Sequence, residues 1–274
     1  MKKIILINDG STAVDAAAKM AFQIAGDMQA EILIVQTYNE RKTSAVKMLA
    51  GLRTAAVRDT QTETNRLVRM LQYVNEGRHG YQPSISATSL KLTDAAGMAE
   101  LALRTNCWLI IRGCGQMPAG QASLDFQSLL DRLRCPLLLV PEGWATHPIR
   151  RITYMADVRY CQVNIMRYLA NWAIASKAGL SLAHFSKNGL PPIAESYGLG
   201  LFADIVRQLP ACSLTFNNIR DPDIHKATDV LINGLHSDLF VLVNRRYHFK
   251  EIIGDRLTDK LPEDLGIPLL FFPL

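Results

Sequence analysis

The stretch from Trp108 to Pro141 constrains the fold of this chain more than any other segment. It reads WLIIRGCGQMPAGQASLDFQSLLDRLRCPLLLVP: an apolar strand, a loop with three glycines, a short amphipathic helix and a second apolar strand introduced by Cys135-Pro136. The same plan returns from Asp238 to Pro273, where the loop has lost nearly all of its glycines. Strands this uniformly apolar are typical of a parallel sheet buried on both faces. The chain therefore carries two copies of one βα unit.

The first half predicts five strands, because short apolar runs alternate with segments of helical periodicity. The predicted strands are Lys2–Asp9, Ala30–Thr37, Ser84–Leu90, Cys107–Arg112 and Cys135–Pro141. Parallel strands need crossover connections, and these crossovers are right-handed. The alternation therefore predicts an α/β domain, a doubly wound five-stranded parallel sheet with helices on both faces.

The second half repeats this pattern, beginning with Arg150–Asp157, which matches Lys2–Asp9 down to a terminal Asp. Its later predicted strands are Leu180–Ser186, Cys212–Asn218, Leu239–Asn244 and Ile267–Phe272. Glu142 to Ile149 is a linker, so we predict domains over residues 1–143 and 149–274. The copies differ mainly between the second and third strands, where the first half has a long helical connection from Tyr38 to Gly80. This is an internal duplication.

Bulk composition excludes several classes of protein. The chain of 274 residues is 49% apolar and 20% charged, which is ordinary for a globular protein. Its net charge of +5 is spread along the chain, no nucleic-acid-binding signature is present, and no apolar run approaches the roughly 20 residues that span a bilayer. The five cysteines never occur as CxxC, which argues against disulfides or zinc. We expect a cytoplasmic protein that binds neither nucleic acid nor membranes.

Catalytic signatures are missing from the sequence. It contains no GxSxG elbow, no GxxxxGK[ST] loop and no HExxH motif. The six histidines are scattered without the spacing of metal ligands, and His184 lies in a predicted strand, where a hydrogen-bonded core role is favoured. We therefore predict no catalytic residue and no metal site.

Several features together resemble the universal stress protein family in its tandem, two-domain form. They are Asp9-Gly10-Ser11 at the end of the first strand, the loop–helix–Cys-Pro–strand ending, and the duplication. The resemblance covers nearly the whole chain. It implies an adenine-nucleotide alpha-hydrolase-like fold with strand order 3-2-1-4-5 in each half. It also implies a stress-response binding and signalling module, not an enzyme.

The resemblance also implies a nucleotide site. In the family's nucleotide binders, an Asp at the end of the first strand helps to hold adenosine, the end of the second strand lies near the adenine, and a G-x2-G-x9-G-[S/T] loop wraps the phosphates. Asp9, with Gly10 beside it, matches the first position and Val35 the second. The phosphate loop would be built from Arg112, Gly113, Gly115, Gly120 and Ser123. The implied ligand is ATP with Mg²⁺, since glycines let backbone N–H groups approach phosphate oxygens.

The phosphate-loop motif is broken in this chain. Counted from Gly113, the second glycine position holds Gln116, and Phe126-Gln127 stands where Gly-Ser should be. Counted from Arg112, the second position is Gly115 but the first is an arginine. The glycines can also serve only as a flexible turn, and an interaction protein without nucleotide and a slow ATP hydrolase both remain as alternatives.

The second copy is predicted to be structural. Gly254-Asp255 places a carboxylate where phosphate oxygens would sit, so we expect no ATP there. Its basic loop, defined by Arg245, Arg246, His248 and Lys250, favours a solvated face or a dimer contact over a phosphate clamp. Asp157, like Asp9, can simply cap the first helix of its half.

The last strand of each half is apolar and lies at a sheet end. The two segments are Leu137–Val140 and Leu269–Phe272. An exposed apolar edge invites pairing with another strand, and in the resembled family this edge joins two domains. We therefore predict that the two halves pack as a pseudo-dimer, with a homodimer as a further possibility.

Overall fold

The computed structural model describes residues 1–37, 62–74, 80–90, 95–116, 124–186, 193–219, 223–258, 261–262 and 265–274. The chain divides into two compact units. One contains Met1–Thr146 with Thr258–Lys260, and the other contains His147–Leu257 with Leu261–Leu274. We call them the N-terminal and C-terminal units and describe each by itself.

The N-terminal unit has the predicted fold. Its elements are β1 (Lys2–Asn8), α1 (Val14–Met28), β2 (Ala30–Thr37), α2 (62–74), β3 (Ile85–Leu90), α3 (Ala95–Arg104), β4 (Cys107–Cys114), α4 (Phe126–Leu130) and β5 (Leu137–Pro141). The strands are parallel and ordered β3-β2-β1-β4-β5. Helix α2 lies in the predicted helical connection, whose residues 38–61 and 75–79 fall outside the described residues.

The C-terminal unit repeats this plan. Its elements are β6 (Arg151–Ala156), a 3-10 turn (Val158–Tyr160), α5 (Val163–Ser176), β7 (Gly179–Phe185), α6 (Glu195–Val206), β8 (Leu214–Ile219), α7 (Ile224–Asp229) with a π turn (Val230–Gly234), β9 (Leu239–Val243), α8 (Tyr247–Ile252) and β10 (Leu269–Phe272). The parallel order is β8-β7-β6-β9-β10, which is again 3-2-1-4-5. The predicted fold class is confirmed for both copies.

The central strands carry the core of each unit. In β1 the four apolar residues Ile4–Ile7 are at most 1% exposed, because β2 and β4 flank the strand and helices cover its faces. In the C-terminal unit, Trp172 of α5 is fully buried. A strand buried on both faces needs apolar residues at every position, which explains why these strands show no alternation.

The end of β4 lies against the beginning of α1. A Cβ on Gly113 would fall 2.5 Å from the carbonyl carbon and oxygen of Ala13, and one on Gly115 would fall 2.5 Å from Oγ1 of Thr12. The backbone N–H of Thr12 donates to the carbonyl of Gln116 at 3.0 Å, and the N–H of Gln116 donates to Thr12 Oγ1 at 2.9 Å. Packing against α1 therefore requires both glycines.

We expect Gly113→Ala to lower the free energy of unfolding by about 1–3 kcal/mol, since its methyl group overlaps backbone that cannot move independently. The matched control is Gly200→Ala in α6, where nothing lies within 4 Å of the added Cβ. That change should raise stability by about 0.5–1 kcal/mol, because alanine favours the helix over glycine. Urea unfolding of the full chain measures both, and equal effects would contradict the close approach.

Candidate functional site

The strand order reverses between β1 and β4, so the crevice of the N-terminal unit lies at their carboxyl ends. Asp9 follows β1 directly, and Arg112 belongs to β4. Nε of Arg112 donates to Oδ2 of Asp9, forming an ion pair in which 0% of the arginine and 7% of the aspartate side chain are exposed. The guanidinium also lies 4.0 Å from the centre of the Phe126 ring. Arg112 thus lies between the Asp9 carboxylate and the Phe126 ring.

The second oxygen of Asp9 is also engaged. Oδ1 accepts a hydrogen bond from the backbone N–H of Ser11 at 3.0 Å, across Gly10, whose φ is 71°. Helix α1 begins only at Val14, so this contact stabilises the turn and does not cap the helix. The alternative that Asp9 caps α1 is therefore wrong, and the carboxylate serves a turn and an ion pair instead.

A buried polar network covers the neighbouring ends of β1 and β2. Nδ2 of Asn8 donates to Oε1 of Gln36 at 2.7 Å, and the Thr64 hydroxyl donates to the same oxygen at 2.6 Å. Thr64 belongs to α2, which therefore lies over this edge of the sheet. Val35, the residue expected near an adenine, is fully buried and pairs with Ile7 of β1.

The structure brings most of the predicted site residues together. Those that meet at the crevice are Asp9, Gly10, Arg112, Gly113 and Gly115, with Val35 on the adjacent strand. Gly120 and Ser123 lie outside the described residues. The phosphate-binding role of the loop remains a prediction, while the packing of Gly113 and Gly115 against α1 is a structural reason for two of its glycines.

Strand register identifies the equivalent positions in the C-terminal unit. Leu6 pairs with Ile111 in the N-terminal unit, and Tyr154 pairs with Val241 in the C-terminal unit. Asp9 and Asp157 each lie three residues after the first member of these pairs, so they correspond. Arg112 and Leu242 each lie one residue after the second member, so they correspond as well. Where the N-terminal copy buries an arginine, the C-terminal copy has a leucine. A small hollow that opens to solvent lies here. Its lining includes Tyr154, Asp157, Tyr160, Leu242, Arg246 and His248.

Asp157 is neutralised locally. Its Oδ1 accepts hydrogen bonds from the backbone N–H and from Nε of Arg159, both at 2.9 Å. Burial alone would raise the pKa of Asp157, but these hydrogen bonds outweigh burial and hold it below its ordinary value. Asp157 caps the 3-10 turn Val158–Tyr160, whereas α5 begins later, at Val163.

A Ser–His–Asp set lies beside this turn, but its hydrogen bonds are arranged the wrong way for catalysis. Nδ1 of His184 accepts from the backbone N–H of Val158 at 3.0 Å, and Nε2 lies 3.2 Å from the Ser186 hydroxyl. Burial lowers the pKa of His184, so the neutral ring carries its proton on Nε2 and donates it to Ser186. A serine nucleophile needs the opposite, a base that accepts its proton. His184 is a hydrogen-bonded strand residue, as expected.

The basic loop is not uniformly solvated. Arg245, Arg246 and Lys250 are exposed, but His248 is only 4% exposed and contacts Phe185 edge-on at 5.6 Å between ring centres. Burial lowers the pKa of His248. The prediction of a solvated face is therefore wrong for this histidine, because its side chain lies in the lining of the cavity, whereas Arg245 and Lys250 are exposed outside it. In the sequence His248 stands between Tyr247 and Phe249, and these aromatic neighbours could have indicated that it is buried.

Two structural absences apply to the described part of the chain. There, no helix is both long and apolar enough to cross a membrane. The same residues contain no group of three or more His, Cys, Asp or Glu side chains placed to hold a metal ion.

A duplicated parallel α/β unit with strand order 3-2-1-4-5 defines the fold class of this chain, a tandem of two doubly wound domains. No protein-family model and no curated protein matches the sequence. Among solved structures, a universal stress protein from Archaeoglobus fulgidus DSM 4304 matches at 12% identity over 99% of this chain and 98% of its own, with a TM-score of 0.63. The chain thus has the fold of the universal stress proteins in tandem form, which confirms the resemblance.

Two further structures match. A putative universal stress protein from Pseudomonas aeruginosa UCBPP-PA14 matches at 15% identity over 100% of this chain and 93% of its own, with a TM-score of 0.54. A universal stress protein in complex with cAMP matches at 17% identity over 52% of this chain and 98% of its own, with a TM-score of 0.35.

Replacing Arg112 with Leu should lower the free energy of unfolding by about 3–5 kcal/mol, because it leaves the Asp9 carboxylate buried and unpaired. The matched control is Arg66→Leu, which breaks ion pairs with Asp15 and Glu63 whose side chains are 34–44% exposed. That loss should cost less than about 1 kcal/mol. Denaturant unfolding compares the two, and similar costs would show that the Asp9–Arg112 pair is not desolvated.

Stability should fall as the pH drops below about 6.5, the pKa of an unfolded histidine. Burial lowers the folded-state pKa of His184 and His248, so below this pH the unfolded chain binds protons that the folded chain does not. Each such group removes at most about 1.4 kcal/mol per pH unit. Urea unfolding between pH 7.5 and 5.5 measures the slope. As a control, His225→Gln replaces an exposed histidine and should leave this slope unchanged. A stability that does not vary with pH would contradict the burial of the His184 and His248 rings.

Proposed function

We propose that this chain is a binding and signalling module of the universal stress protein kind that catalyses no reaction. We further propose that its N-terminal crevice is closed to adenine nucleotides by the chain's own Arg112. The buried Asp9–Arg112 ion pair is the observation that carries the proposal. It favours nucleotide-independent interaction, one of the alternatives from the sequence, over ATP binding in the first copy.

The energy of this pair argues against a nucleotide. A ribose hydroxyl would need the Asp9 carboxylate, which already accepts from Arg112 and from the Ser11 backbone. Separating a buried ion pair costs about 3–5 kcal/mol. This cost makes the free energy of nucleotide binding less favourable and therefore raises the Kd by roughly 10²–10⁴-fold. Asn8, Gln36 and Thr64 satisfy one another beside Val35, so the adjacent polar groups also have partners within the protein.

The absence of catalysis is supported by the polarity of the His184 hydrogen bonds, which leaves Ser186 without a base. A cytoplasmic location is supported by the cysteines, all five of which are described and none of which forms a disulfide. Burial raises the pKa of Cys161 to about 12, which makes its thiol unreactive. Pairing of the two halves and homodimerisation stay predictions, which sedimentation of the purified chain addresses.

ATP calorimetry on the full chain, with and without Mg²⁺, tests the closed crevice. We expect no binding at ATP concentrations on the order of 1 mM, and no nucleotide in the mass spectrum of material released from the purified protein. Arg112→Gly removes the closing side chain and restores the first glycine of G-x2-G, so ATP binding should become measurable, at least about 100-fold tighter. Circular dichroism verifies that the variant is folded, and Arg104→Gly at an exposed site is the control.

Micromolar ATP binding by the unaltered chain, lost in Asp9→Ala, would overturn the closed crevice and restore the first copy as a nucleotide site. Steady ATP hydrolysis well above the uncatalysed rate, removed by the same substitution, would overturn the assignment as a non-enzyme.

A further inference from the structure

Two cysteines of the N-terminal unit lie side by side at the amino ends of β4 and β5. Cys107 is the first residue of β4, and Cys135 stands two residues before the beginning of β5. The backbone N–H of Ile110 donates to the carbonyl of Pro136 at 3.1 Å, so the chain that enters β5 runs directly beside β4. The strand register then places Cys135 within one position of Cys107.

The two sulfur atoms are in contact. Strand β4 has one extra residue, Trp108, between the residues that pair with Lys3 and Ile4 of β1, and such a bulge commonly re-aims a neighbouring side chain. The thiol of Cys135 donates a hydrogen bond to the sulfur of Cys107. Adjacent strands lie about 4.8 Å apart, which is within the range of about 4.4–6.8 Å between the Cα atoms of a disulfide. The two thiols can therefore be joined without separating the strands.

The two thiols differ in exposure and in acidity. Cys107 is half-buried, whereas Cys135 is only 7% exposed. The hydrogen bond from Cys135 lowers the pKa of Cys107 and outweighs burial, which acts in the opposite direction. Burial and the same hydrogen bond raise the pKa of Cys135. Cys107 is therefore the thiol that ionises first, and Cys135 keeps its proton.

The surrounding backbone also favours a Cys107 thiolate. The backbone N–H groups of Ile5 and Leu109 donate to its sulfur, and the positive charge of Lys3 acts in the same direction. As a neutral thiol, Cys107 donates to the carbonyl of Leu109 at 3.1 Å, but this bond does not reverse the shift of its pKa. A thiolate held by hydrogen bonds at a partly exposed position is the usual environment of a reactive cysteine.

The cysteine pair lies apart from the crevice. Arg112 is five residues further along β4, which corresponds to about 16 Å at about 3.3 Å per residue. The pair therefore takes no part in the ion pair with Asp9. Packing alone would be met by any small apolar side chain at position 135, and it does not explain a second thiol in contact with the first.

We propose that Cys107 and Cys135 form a peroxide-reactive dithiol, in which Cys107 is oxidised first and Cys135 then closes a reversible disulfide. The Cys107 thiolate attacks one oxygen of hydrogen peroxide: an S–O bond forms, the O–O bond breaks, and the departing hydroxide takes up a proton to become water. Cys107 is then a sulfenic acid.

Cys135 completes the reaction. Its sulfur attacks the sulfur of the sulfenic acid, so that the S–S bond forms and the S–O bond breaks. The departing hydroxide leaves with the proton of Cys135 as a second molecule of water. The two thiols lose two electrons in all, and these electrons reduce one molecule of peroxide to two of water.

This modification adds a chemical input to the proposed binding and signalling module. Disulfides in reducing compartments are usually transient, and many of them sense oxidants. A dithiol reductant returns both cysteines to thiols by thiol–disulfide exchange. The inference does not depend on the closed N-terminal crevice, because neither Asp9 nor Arg112 takes part in it.

Mass spectrometry of the full chain tests the disulfide. Hydrogen peroxide is added in modest molar excess to the reduced protein, which is then digested with trypsin. Trypsin cleaves between Cys107 and Cys114 and between Cys114 and Cys135, so each of these cysteines lies on its own peptide. We expect one intramolecular disulfide, between Cys107 and Cys135, which dithiothreitol reverses. A disulfide formed mainly by another pair or between chains would overturn the proposal, as would a chain that peroxide leaves fully reduced.

Single substitutions test the order of the two steps. Cys135→Ser removes the second thiol, so a sulfenic acid should persist at Cys107 and be captured by dimedone. Cys107→Ser should give neither a sulfenic acid nor a disulfide. Cys212→Ser is the matched control, because Cys212 is also half-buried but burial raises the pKa of its thiol, and it should behave as the unaltered chain does. Circular dichroism verifies that each variant is folded. Dimedone capture at Cys135 in Cys107→Ser, or no capture in Cys135→Ser, would refute the assigned order.

Alkylation of the reduced, unaltered chain by iodoacetamide gives a readout that needs no variant. At neutral pH, Cys107 should react at least about threefold faster than Cys212. A pKa one unit lower raises the thiolate fraction about tenfold, and the accompanying loss of nucleophilicity is only about threefold. Equal rates would contradict the activation of Cys107. ATP binding at the N-terminal crevice would leave all these expectations unchanged, so the two proposals fail separately.

Discussion

The strands of each sheet all run in one direction, and this constraint decides where a site can form. Parallel strands place all their carboxyl ends at one edge, and the order 3-2-1-4-5 separates the loops after the first and fourth strands. Burial of β1 and β6 from both faces holds this arrangement in place, because a one-residue slip of such a strand would disrupt packing on each side. Asp9 and Asp157 consequently stand at the same point of two identical frameworks.

The two copies neutralise that aspartate in different ways. Asp9 is paired with Arg112, which lies 103 residues away on the adjacent strand β4. Asp157 is paired with Arg159, two residues further along the same turn, so its neutralisation takes no room from the neighbouring strand. Leu242 then replaces the arginine at β9, and an apolar wall replaces the ion pair. The two copies therefore differ both in which arginine pairs with the aspartate and in which residue of the fourth strand lies beside it.

Much of the fold was predictable, since uninterrupted apolar runs between turn residues mark buried strands. Strand β2 was predicted residue for residue as Ala30–Thr37, and the duplication and strand order were predicted correctly. Strand β4 was predicted to end at Arg112 but continues to Cys114, because a charged residue before glycine is typical of a loop. Pairing with β5 extends the strand, and the ion pair with Asp9 allows the arginine to be buried. Neither partner is visible from local sequence.

The sequence by itself determined the duplication, the parallel sheets and the position of an aspartate at the end of each first strand, because hydrophobic periodicity and turn residues act over a few neighbouring positions. Only the tertiary structure decided that Asp9 meets Arg112, that Leu242 lines the crevice of the second copy, and that His248 is buried there. These outcomes depend on strand register and helix orientation, which bring together residues about a hundred positions apart. The Asp9–Arg112 ion pair forms only because the fold brings these two residues together, so it cannot be predicted from a few neighbouring residues.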